Sequence, residues 1–396
     1  MIVIGYPVPF YGAGWRRIQY IIDCLSSKGY SVYVLSSISS SSLGIIRYKE
    51  YKFAKIIRLP LVFLDIALTK MLNILTFFLY TLLILPLLHV TILILSMPPE
   101  DPCLGSFLAG RLLNRKIIID YRDEYGGSAT RPVIYTKIPY YRAMLEQVDT
   151  IVAVTYSLIR NLQNNIRNKK IVYIPNVADT DIFKPSTSLM INKIRNKLGL
   201  NFDDFILTYT GILSPHTYNL PNVMQSLKIL IKKGKDNIKL LIAGKGPSKE
   251  SILKIAKILK IDDHLIYLGV VKDPYMLSEI ISSSDIGLVP YINNTLLKNC
   301  VSMKFYEYCS CGIPVIATAY EDSEIAHIIL NNRLGLVAEP DNPLDLSIKI
   351  EKIYNNYNYR KELGKNARIF IEKYHSKDSF CAKYSSLINS LQRMSR

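Results

Sequence analysis

The sequence predicts an α/β protein of two domains, and three features carry this prediction. The chain has 396 residues, which is enough for two domains with a hydrophobic core each. Residues 1–36 show a strand, a glycine-rich turn, an amphipathic helix and a second strand, the pattern of a parallel sheet. Residues 304–318 show a short helix, a glycine stop and a buried apolar strand, so the same pattern returns late in the chain.

The glycine-rich turn near the N-terminus is the first candidate for binding. The first strand covers residues 1–4, and the first helix follows from Trp15. Gly12 and Gly14 lie between them, and glycines without side chains let a backbone approach a phosphate closely. A tight turn without a ligand explains these glycines equally well. Residues 1–4 are expected to be a strand and not an export signal, because no basic segment precedes them.

An apolar segment at 61–88 is predicted to be a helix that Pro86 ends. No Asp, Glu, Lys or Arg occurs from Met71 to Pro99, and polar residues recur every three or four positions in a narrow stripe. A helix spanning a membrane would separate residues 1–60 from the rest of their sheet, so we expect a surface helix. We expect one side to pack on the core and another to contact lipid, and a fully buried helix is the alternative.

The charge of the chain points to an anionic partner. The formal net charge is +17, which suits nucleic acid, an anionic membrane surface or anionic nucleotides. No zinc-finger spacing, helix-turn-helix or RNA-binding aromatic motif occurs, so nucleic acid is not expected. The six cysteines show no disulfide-like spacing, and reduced thiols in a cytoplasmic setting are therefore expected.

The helix that begins near residue 303 combines a cation with a carboxylate. Lys304 and Glu307 are three residues apart and so share one face of this helix. The N-terminus of such a helix favours anions, and a carboxylate one turn inside can accept hydrogen bonds from the vicinal hydroxyls of a ribose. A surface Lys–Glu pair on an ordinary helix is the alternative.

The order Ser302-Met303-Lys304, Glu307 and then Gly312-Ile-Pro-Val-Ile-Ala resembles the donor-site signature of retaining glycosyltransferases of family 4. The similarity extends over nearly the whole chain and is weakest over 37–88. It implies the GT-B fold, in which two Rossmann-like domains with parallel sheets face each other across a cleft. It also implies domains at 1–186 and 187–375, followed by a helix at 376–396 that crosses back to the first domain.

The resemblance assigns a donor site whose central residues are Lys304, at the phosphates, and Glu307, at the ribose. Two family features are absent. Asn299 stands where the family has a first glutamate, and Gly211 is followed by Ile212 where a phosphate-binding cation is usual. Lys304 is therefore the main candidate for phosphate charge. The remaining donor-binding residues implied are Gly12, Gly14, Arg17, Gly211, His216, Gly244, Asn299, Ser302 and Met303.

The acceptor side is implied by Asp120-Tyr-Arg122-Asp123, which resembles the family's Asp-x-Arg-Asp motif. A carboxylate at the carboxyl end of a strand can orient an acceptor hydroxyl, so Asp123 is the third expected catalytic residue beside Lys304 and Glu307. Asp120 and Arg122 are expected to support it. Charges that cap a neighbouring helix are the alternative. The Asp179-Thr-Asp181 sequence suggests a metal site only weakly, because GT-B enzymes generally need no such metal.

The expected activity is transfer of a hexosyl group from a nucleotide diphosphate sugar, linked to UDP or GDP, to a hydroxyl of a lipid-linked saccharide or glycan. The resemblance implies retention of the anomeric configuration and no cofactor or essential metal. The protein is expected to be cytoplasmic and peripheral on the inner face of the cell membrane. A GT-B sugar-nucleotide epimerase, an inverting transferase and an inactive membrane-associated scaffold are the alternatives.

Overall fold

The computed structural model describes residues 1–5, 13–38, 54–62, 67–98, 100–128 and 131–393. The chain forms two compact units. Unit 1 comprises Met1–Pro175 together with Phe380–Arg396, and unit 2 comprises Asn176–Ser379. The sequence predicts a domain boundary at residue 186, which lies inside unit 2. It also predicts that the C-terminal residues belong with the first domain, and unit 1 includes Phe380–Arg396.

Unit 1 contains a seven-stranded sheet in the order β3-β2-β1-β4-β5-β8-β9, whose pairings are all parallel. The strands at its centre are apolar, as expected for a parallel sheet that helices cover. An antiparallel pair, β6 and β7, is separate from it. The strands are β1 (Ile2–Val3), β2 (Tyr33–Ile38), β3 (Lys55–Val62), β4 (Ile92–Met97), β5 (Lys116–Tyr121), β6 (Tyr125–Ser128), β7 (Arg131–Ile134), β8 (Thr150–Ala153) and β9 (Ile171–Tyr173).

The helices of unit 1 follow the strands as crossover connections. They are α1 (Ala13–Ser27), α2 (Ala67–Leu87), α3 (Glu100–Leu112), α4 (Pro139–Gln147) and α5 (Tyr156–Asn165), with a short 3-10 helix at Tyr135–Lys137.

The last helix of the chain, α14 (Lys377–Arg393), packs against α1. Phe380 of α14 meets Tyr20 edge-on at 6.2 Å between ring centres. Cys24 and Cys381 form a disulfide with 5.1 Å between their Cα atoms. The expectation that the cysteines carry no disulfide is wrong for this pair. The two residues are 357 positions apart, so no local spacing could reveal their contact.

The helix predicted at 61–88 begins later in the structure, where α2 covers Ala67–Leu87. Leu61 and Val62 belong to β3, since Val62 continues the pairing of that strand with Ile38. Pro86 does not end the helix, which includes this proline in its last turn and ends at Leu87. In the parts of the chain that the structure describes, Lys70–Leu87 is the one helical stretch long and apolar enough to cross a membrane, and 22% of it is buried.

Helix α2 buries polar as well as apolar residues and exposes an apolar side. Its buried side includes the polar residues Asn73 and Thr81, and Thr81 shares a 2.9 Å hydrogen bond with Ser106 of α3. A Cβ on Gly105 of α3 would lie 2.2 Å from the Ile74 carbonyl oxygen, so the two backbones approach closely. The outward side is apolar and carries Met71, Leu72, Leu75, Leu79, Leu83 and Leu87. A fully buried α2 is thus excluded.

Unit 2 contains a six-stranded parallel sheet in the order β12-β11-β10-β13-β14-β15. Its strands are β10 (Phe205–Ile212), β11 (Ile238–Lys245), β12 (Leu265–Gly269), β13 (Ile286–Pro290), β14 (Val315–Thr318) and β15 (Gly335–Ala338). Its helices are α6 (Ser188–Lys197), α7 (Leu220–Lys232), α8 (Lys249–Leu259), α9 (Pro274–Ser282), α10 (Met303–Ser310), α11 (Glu324–Asn331), α12 (Pro343–Tyr354) and α13 (Tyr357–Tyr374), with 3-10 helices at Asp262–His264 and Thr295–Asn299.

Helix α10 lies between β13 and β14 and is buried along its whole length. It ends as the sequence predicts, with Gly312 just beyond it at a φ of 73°. Tyr308 packs so closely on β13 that a Cβ on Gly287 would lie 2.3 Å from the tyrosine ring. The neighbouring side chains therefore fix the position of α10, and with it the position of the residues at its N-terminus.

Candidate functional site

The N-terminus of α10 carries polar groups that the described residues leave without a hydrogen bond. Ser302 precedes the helix in an extended conformation, and its backbone N–H donates a 2.9 Å hydrogen bond to the Tyr291 hydroxyl. Within the described residues, Ser302 Oγ and Lys304 Nζ are buried and have no hydrogen-bond partner. Because the helix N-terminus also carries partial positive charge, this place suits an anion.

Lys304 lies under two tyrosine rings. The residue is 6% exposed. Its Nζ lies 4.0 Å from the ring centre of Tyr209 and 3.4 Å from that of Tyr218. Gly211 provides the space, since a Cβ there would lie 3.3 Å from Lys304 Cε. Lys304 thus reaches the end of β10, the strand end at which the family resemblance expects a cation.

Burial lowers the pKa of Lys304 well below its usual range. Each aromatic ring attracts an ammonium group by about 0.5–2 kcal/mol, but removing that group from water costs several kcal/mol. No hydrogen bond from the described residues replaces the lost water. The neutral amine is therefore favoured in the absence of a ligand.

Replacing Lys304 with methionine should raise the free energy of unfolding at pH 7 by about 1–3 kcal/mol, because a buried polar group without a partner is removed. Because burial lowers the pKa of Lys304, the folded protein loses this proton at a lower pH than an unfolded lysine does. The wild-type protein should therefore gain stability as the pH rises toward about 10.4, the pKa of a free lysine. Chemical denaturation at several pH values measures the free energy of unfolding of the variant and of the wild type. The difference between these two free energies should narrow with rising pH. A constant difference would contradict the neutral state.

Glu307 lies one turn beyond Met303 on α10 and is 4% exposed. Both Lys304 and Glu307 are buried, so the alternative of a surface Lys–Glu pair is wrong. Met303 is buried at the first position of the helix. Asn299 is half-buried at the end of the 3-10 helix Thr295–Asn299, immediately before this turn. With Ser302, five predicted donor residues thus lie in this one short segment.

The other predicted donor residues of unit 2 lie at strand ends and in the loop after β10. Gly211 and Gly244 are directly paired between β10 and β11, and a Cβ on Gly244 would lie 1.8 Å from the Gly211 carbonyl oxygen. His216 is exposed in the loop after β10. Sequence reasoning missed the tyrosines around Lys304, since the chain has 28 tyrosines and no pattern distinguishes these.

In unit 1, Gly14 lies in the first turn of α1, and the prediction for Gly12 falls outside the described residues. Arg17 of α1 is 1% exposed and faces Asp120, which is fully buried. The guanidinium donates to both Asp120 oxygens, with the shortest distance at 2.7 Å, and to the carbonyls of Ile174 and Pro175 at 2.9 Å. Tyr384 of α14 donates to the same carboxylate at 2.8 Å.

This buried cluster changes the interpretation of two predicted site residues. Burial alone would raise the pKa of Asp120, but the charge and hydrogen bonds of Arg17 outweigh it and hold that pKa below its usual range. Arg17 and Asp120 join α1, β5 and the C-terminal helix. The structure therefore favours a structural role for both over the predicted contacts with phosphate and acceptor.

Asp123 and Arg122 follow the carboxyl end of β5 and are both half-buried. The Arg122 guanidinium donates to the Pro98 carbonyl, and its backbone N–H donates to Met97 at 3.0 Å. Arg122 thus holds the segment that carries Asp123 against the loop after β4. Parallel strands present their carboxyl ends on one edge of a sheet, where ligands of open α/β sheets bind, so Asp123 keeps a position suited to an acceptor.

The Asp179-Thr-Asp181 sequence forms a turn. Asp179 Oδ1 accepts hydrogen bonds from the backbone N–H groups of Asp181 at 3.2 Å and Ile182 at 3.4 Å. Among the residues that the structure describes, no group of three His, Cys, Asp or Glu side chains is arranged to hold a metal ion.

Both units have the α/β architecture of the GT-B fold, and solved structures with this fold match nearly the whole chain. A glycosyltransferase from Rickettsia africae ESF-5 matches with a TM-score of 0.76 and 19% identity, covering 99% of this chain and 98% of that one. Anabaena Alr3699/HepE in complex with UDP-glucose matches with a TM-score of 0.71 and 12% identity, covering 98% of each chain. At these identities the likeness establishes the fold.

Residues 190–370, all within unit 2, match the family model of glycosyl transferases group 1. N-acetyl-alpha-D-glucosaminyl L-malate synthase of Bacillus anthracis is 21% identical over 63% of this chain and 61% of its own length. Chitobiosyldiphosphodolichol beta-mannosyltransferase of Debaryomyces hansenii is 24% identical over 62% of this chain and 56% of its length. The chain thus matches less than two thirds of these relatives. Together the similarities show the GT-B fold for the chain and a match of most of unit 2 to the glycosyl transferases group 1 model.

Proposed function

We propose that this protein transfers a hexosyl group from a UDP- or GDP-linked sugar to a hydroxyl of a saccharide acceptor, with retention of the anomeric configuration and without an essential metal. The observation that carries the proposal is the buried amine of Lys304 at the N-terminus of α10, for which the described part of the chain provides no hydrogen-bond partner. A diphosphate would supply the charge and the hydrogen-bond acceptors that this place lacks among the described residues.

Stabilising the charge of the departing diphosphate is the main catalytic effect expected of unit 2. Lys304 and the amides at the start of α10 would provide it. Two amides just before the helix are already engaged, because the amide of Cys300 donates to the Leu297 carbonyl and that of Ser302 donates to the Tyr291 hydroxyl. Lys304 therefore carries more of this role. Glu307 would accept hydrogen bonds from the ribose hydroxyls.

Unit 1 would hold the acceptor, with Asp123 orienting the attacking hydroxyl. In the proposed retaining reaction the acceptor oxygen bonds to the anomeric carbon as the bond to the diphosphate breaks. The leaving phosphate takes the proton of that hydroxyl, so a strong protein base is unnecessary. Asp123 is thus a positioning carboxylate, consistent with its half-buried place after β5.

We further propose that the acceptor is lipid-linked and that the protein is cytoplasmic and peripheral on an anionic membrane. The name of the Debaryomyces hansenii relative specifies a diphosphodolichol-linked saccharide. The outward apolar side of α2 supports contact with lipid, because its polar residues Asn73 and Thr81 point into the unit. The net charge of +17 favours an anionic surface.

Replacing Leu75, Leu79 and Leu83 together with asparagine should weaken binding to vesicles by about 100-fold, if each loses about 1 kcal/mol of apolar burial. These leucines are 52%, 46% and 69% exposed. Co-sedimentation with vesicles of phosphatidylglycerol and phosphatidylethanolamine measures the change. The matched control replaces the exposed Leu189, Leu344 and Ile348 of unit 2 and should bind like the wild type. Equal binding by both variants would refute the role of α2.

The activity is tested by incubating the protein with a panel of radiolabelled nucleotide sugars and a membrane lipid extract. The expected result is a labelled lipid-linked saccharide whose new bond keeps the anomeric configuration of the donor, determined by NMR. A product with inverted configuration would indicate an inverting transferase, and interconversion of nucleotide sugars without a product would indicate an epimerase. Because Asn299 replaces the first glutamate of the family signature, the assay must also test whether the protein is inactive. No turnover of any donor, despite binding to vesicles, would indicate a scaffold.

A further inference from the structure

Tyr209 and Tyr218 cover the amine of Lys304, and Tyr291 stacks on Tyr218. We call these three residues the tyrosine cage. Tyr218 stacks on Tyr291 with 5.6 Å between ring centres and an angle of 17°, and it meets Tyr209 edge-on at 5.5 Å. All three residues are buried. Tyr209 and Tyr218 cover the amine directly, and Tyr291 supports Tyr218 from behind.

The members of the cage differ in what lies beside them. The Tyr209 hydroxyl donates to the Ile212 carbonyl, and the Tyr291 hydroxyl accepts from the Ser302 amide. Tyr218 lies in the loop after β10 and lines a cavity of about 210 Å³, together with Leu213, Pro215 and Ser248. Tyr218 is thus the ring with adjacent space into which it can move.

Uncharged groups dominate the surroundings of Lys304. Burial is the cause that lowers its pKa, and burial also raises the pKa of Tyr209, Tyr291 and Tyr308, which stay neutral. Two cations on neighbouring segments are engaged elsewhere: Lys298 pairs with Asp322, and Arg368 pairs with Glu372 and donates to the Ser310 carbonyl. Besides Lys304 itself and Arg368 of α13, the ionisable groups on β10, on the loop after it, on α10 and on the loop before α10 are Tyr209, His216, Tyr218, Tyr291, Lys298, Cys300, Tyr306, Glu307, Tyr308 and Cys309.

We propose that Lys304 is stored as a neutral amine beneath Tyr218 and takes up one proton from solvent when a nucleotide diphosphate sugar binds. Tyr218 moves toward the neighbouring cavity, and the amine becomes an ammonium ion that pairs with the diphosphate. This inference rests on the proposed function, because it requires the diphosphate to bind at α10. It adds a pH dependence to donor binding that a permanently charged lysine would lack.

Isothermal titration calorimetry with UDP-glucose and GDP-mannose tests the inference, since these diphosphate diesters do not themselves titrate near neutral pH. Titrations at pH 7.5–9 in buffers with different ionisation enthalpies give the number of protons bound. We expect uptake of about one proton per nucleotide sugar, and a Kd that rises about tenfold for each pH unit within the window of uptake.

Two variants test whether the proton uptake depends on Lys304 and on its burial beneath Tyr218. Tyr218→Ala opens the cage to water, so Lys304 should already be charged and proton uptake should fall toward zero while binding persists. Lys304→Met should bind more weakly, without proton uptake and without the pH dependence. Wild-type binding that takes up no proton overturns the inference and leaves the proposed function intact. Failure of the wild type to bind either nucleotide sugar at any of these pH values overturns both.

Discussion

Replacing Glu307 with alanine should lower kcat/KM for sugar transfer by about 100- to 1,000-fold. Losing charge-assisted hydrogen bonds to two ribose hydroxyls would remove about 3–4 kcal/mol of binding to the donor and the transition state. The effect should be large because Glu307 is 4% exposed, so water replaces the lost carboxylate poorly. Glu307→Gln keeps the volume and one acceptor oxygen and should show an intermediate loss.

The comparison needs proof that the variants fold. Thermal unfolding followed by circular dichroism should show a cooperative transition for each variant. Glu351→Gln is the control, because it removes a carboxylate of the same unit that pairs with Lys233 on the surface. It should retain wild-type activity. If Glu307→Ala also retains wild-type activity while folded, Glu307 does not bind the donor.

The elements that sequence predicts well are those whose cause is local. The α10 segment is an example, because Gly312 must take a positive φ and the following strand is continuously apolar. The strand–glycine turns at Gly211 and Gly244 follow from the same kind of pattern. These signals lie within a few residues of the feature that they predict.

The features that sequence could not predict depend on contacts between distant positions. Arg17 and Asp120 are 103 residues apart, so their ion pair cannot be inferred from spacing, and each resembled a site residue when considered alone. The disulfide between Cys24 and Cys381 has the same origin. The tyrosine cage also joins separate elements around Lys304.

Helix α2 shows a different reason for partial success. Its apolar character and polar stripe were visible in the sequence, but periodicity alone does not say which side faces the core. The structure buries Asn73 of the predicted stripe and exposes Tyr80. It also buries Thr81, which the stripe did not include, where α3 offers Ser106 as a hydrogen-bond partner and Gly105 as a site of close approach. Without α3, a polar stripe would ordinarily be assigned to water.

The largest expected change in stability concerns Asp120. Replacing it with alanine should lower the free energy of unfolding by about 3–5 kcal/mol, because Arg17 would remain as a buried charge without its partner. Arg17 is 1% exposed and cannot reach water without disrupting α1 or α14. Urea denaturation of the reduced and the oxidised protein measures the loss and shows whether the disulfide between Cys24 and Cys381 conceals part of it.

The variants Asp120→Leu and Arg17→Met, alone and combined, distinguish two causes of destabilisation. One is a buried charge left without its partner, and the other is the loss of the interaction itself. Each alone should be strongly destabilising, whereas the double variant should recover most of the loss, since apolar replacement of a buried ion pair is often neutral. Tyr384→Phe should cost about 1 kcal/mol for the lost hydrogen bond. The pKa of Asp120 is lowered by folding, so the ion pair stabilises fully above pH about 4 and less as the pH falls further. If Asp120→Leu costs no more than Tyr384→Phe, the carboxylate does not hold α1, β5 and α14 together, and its predicted role toward the acceptor regains support.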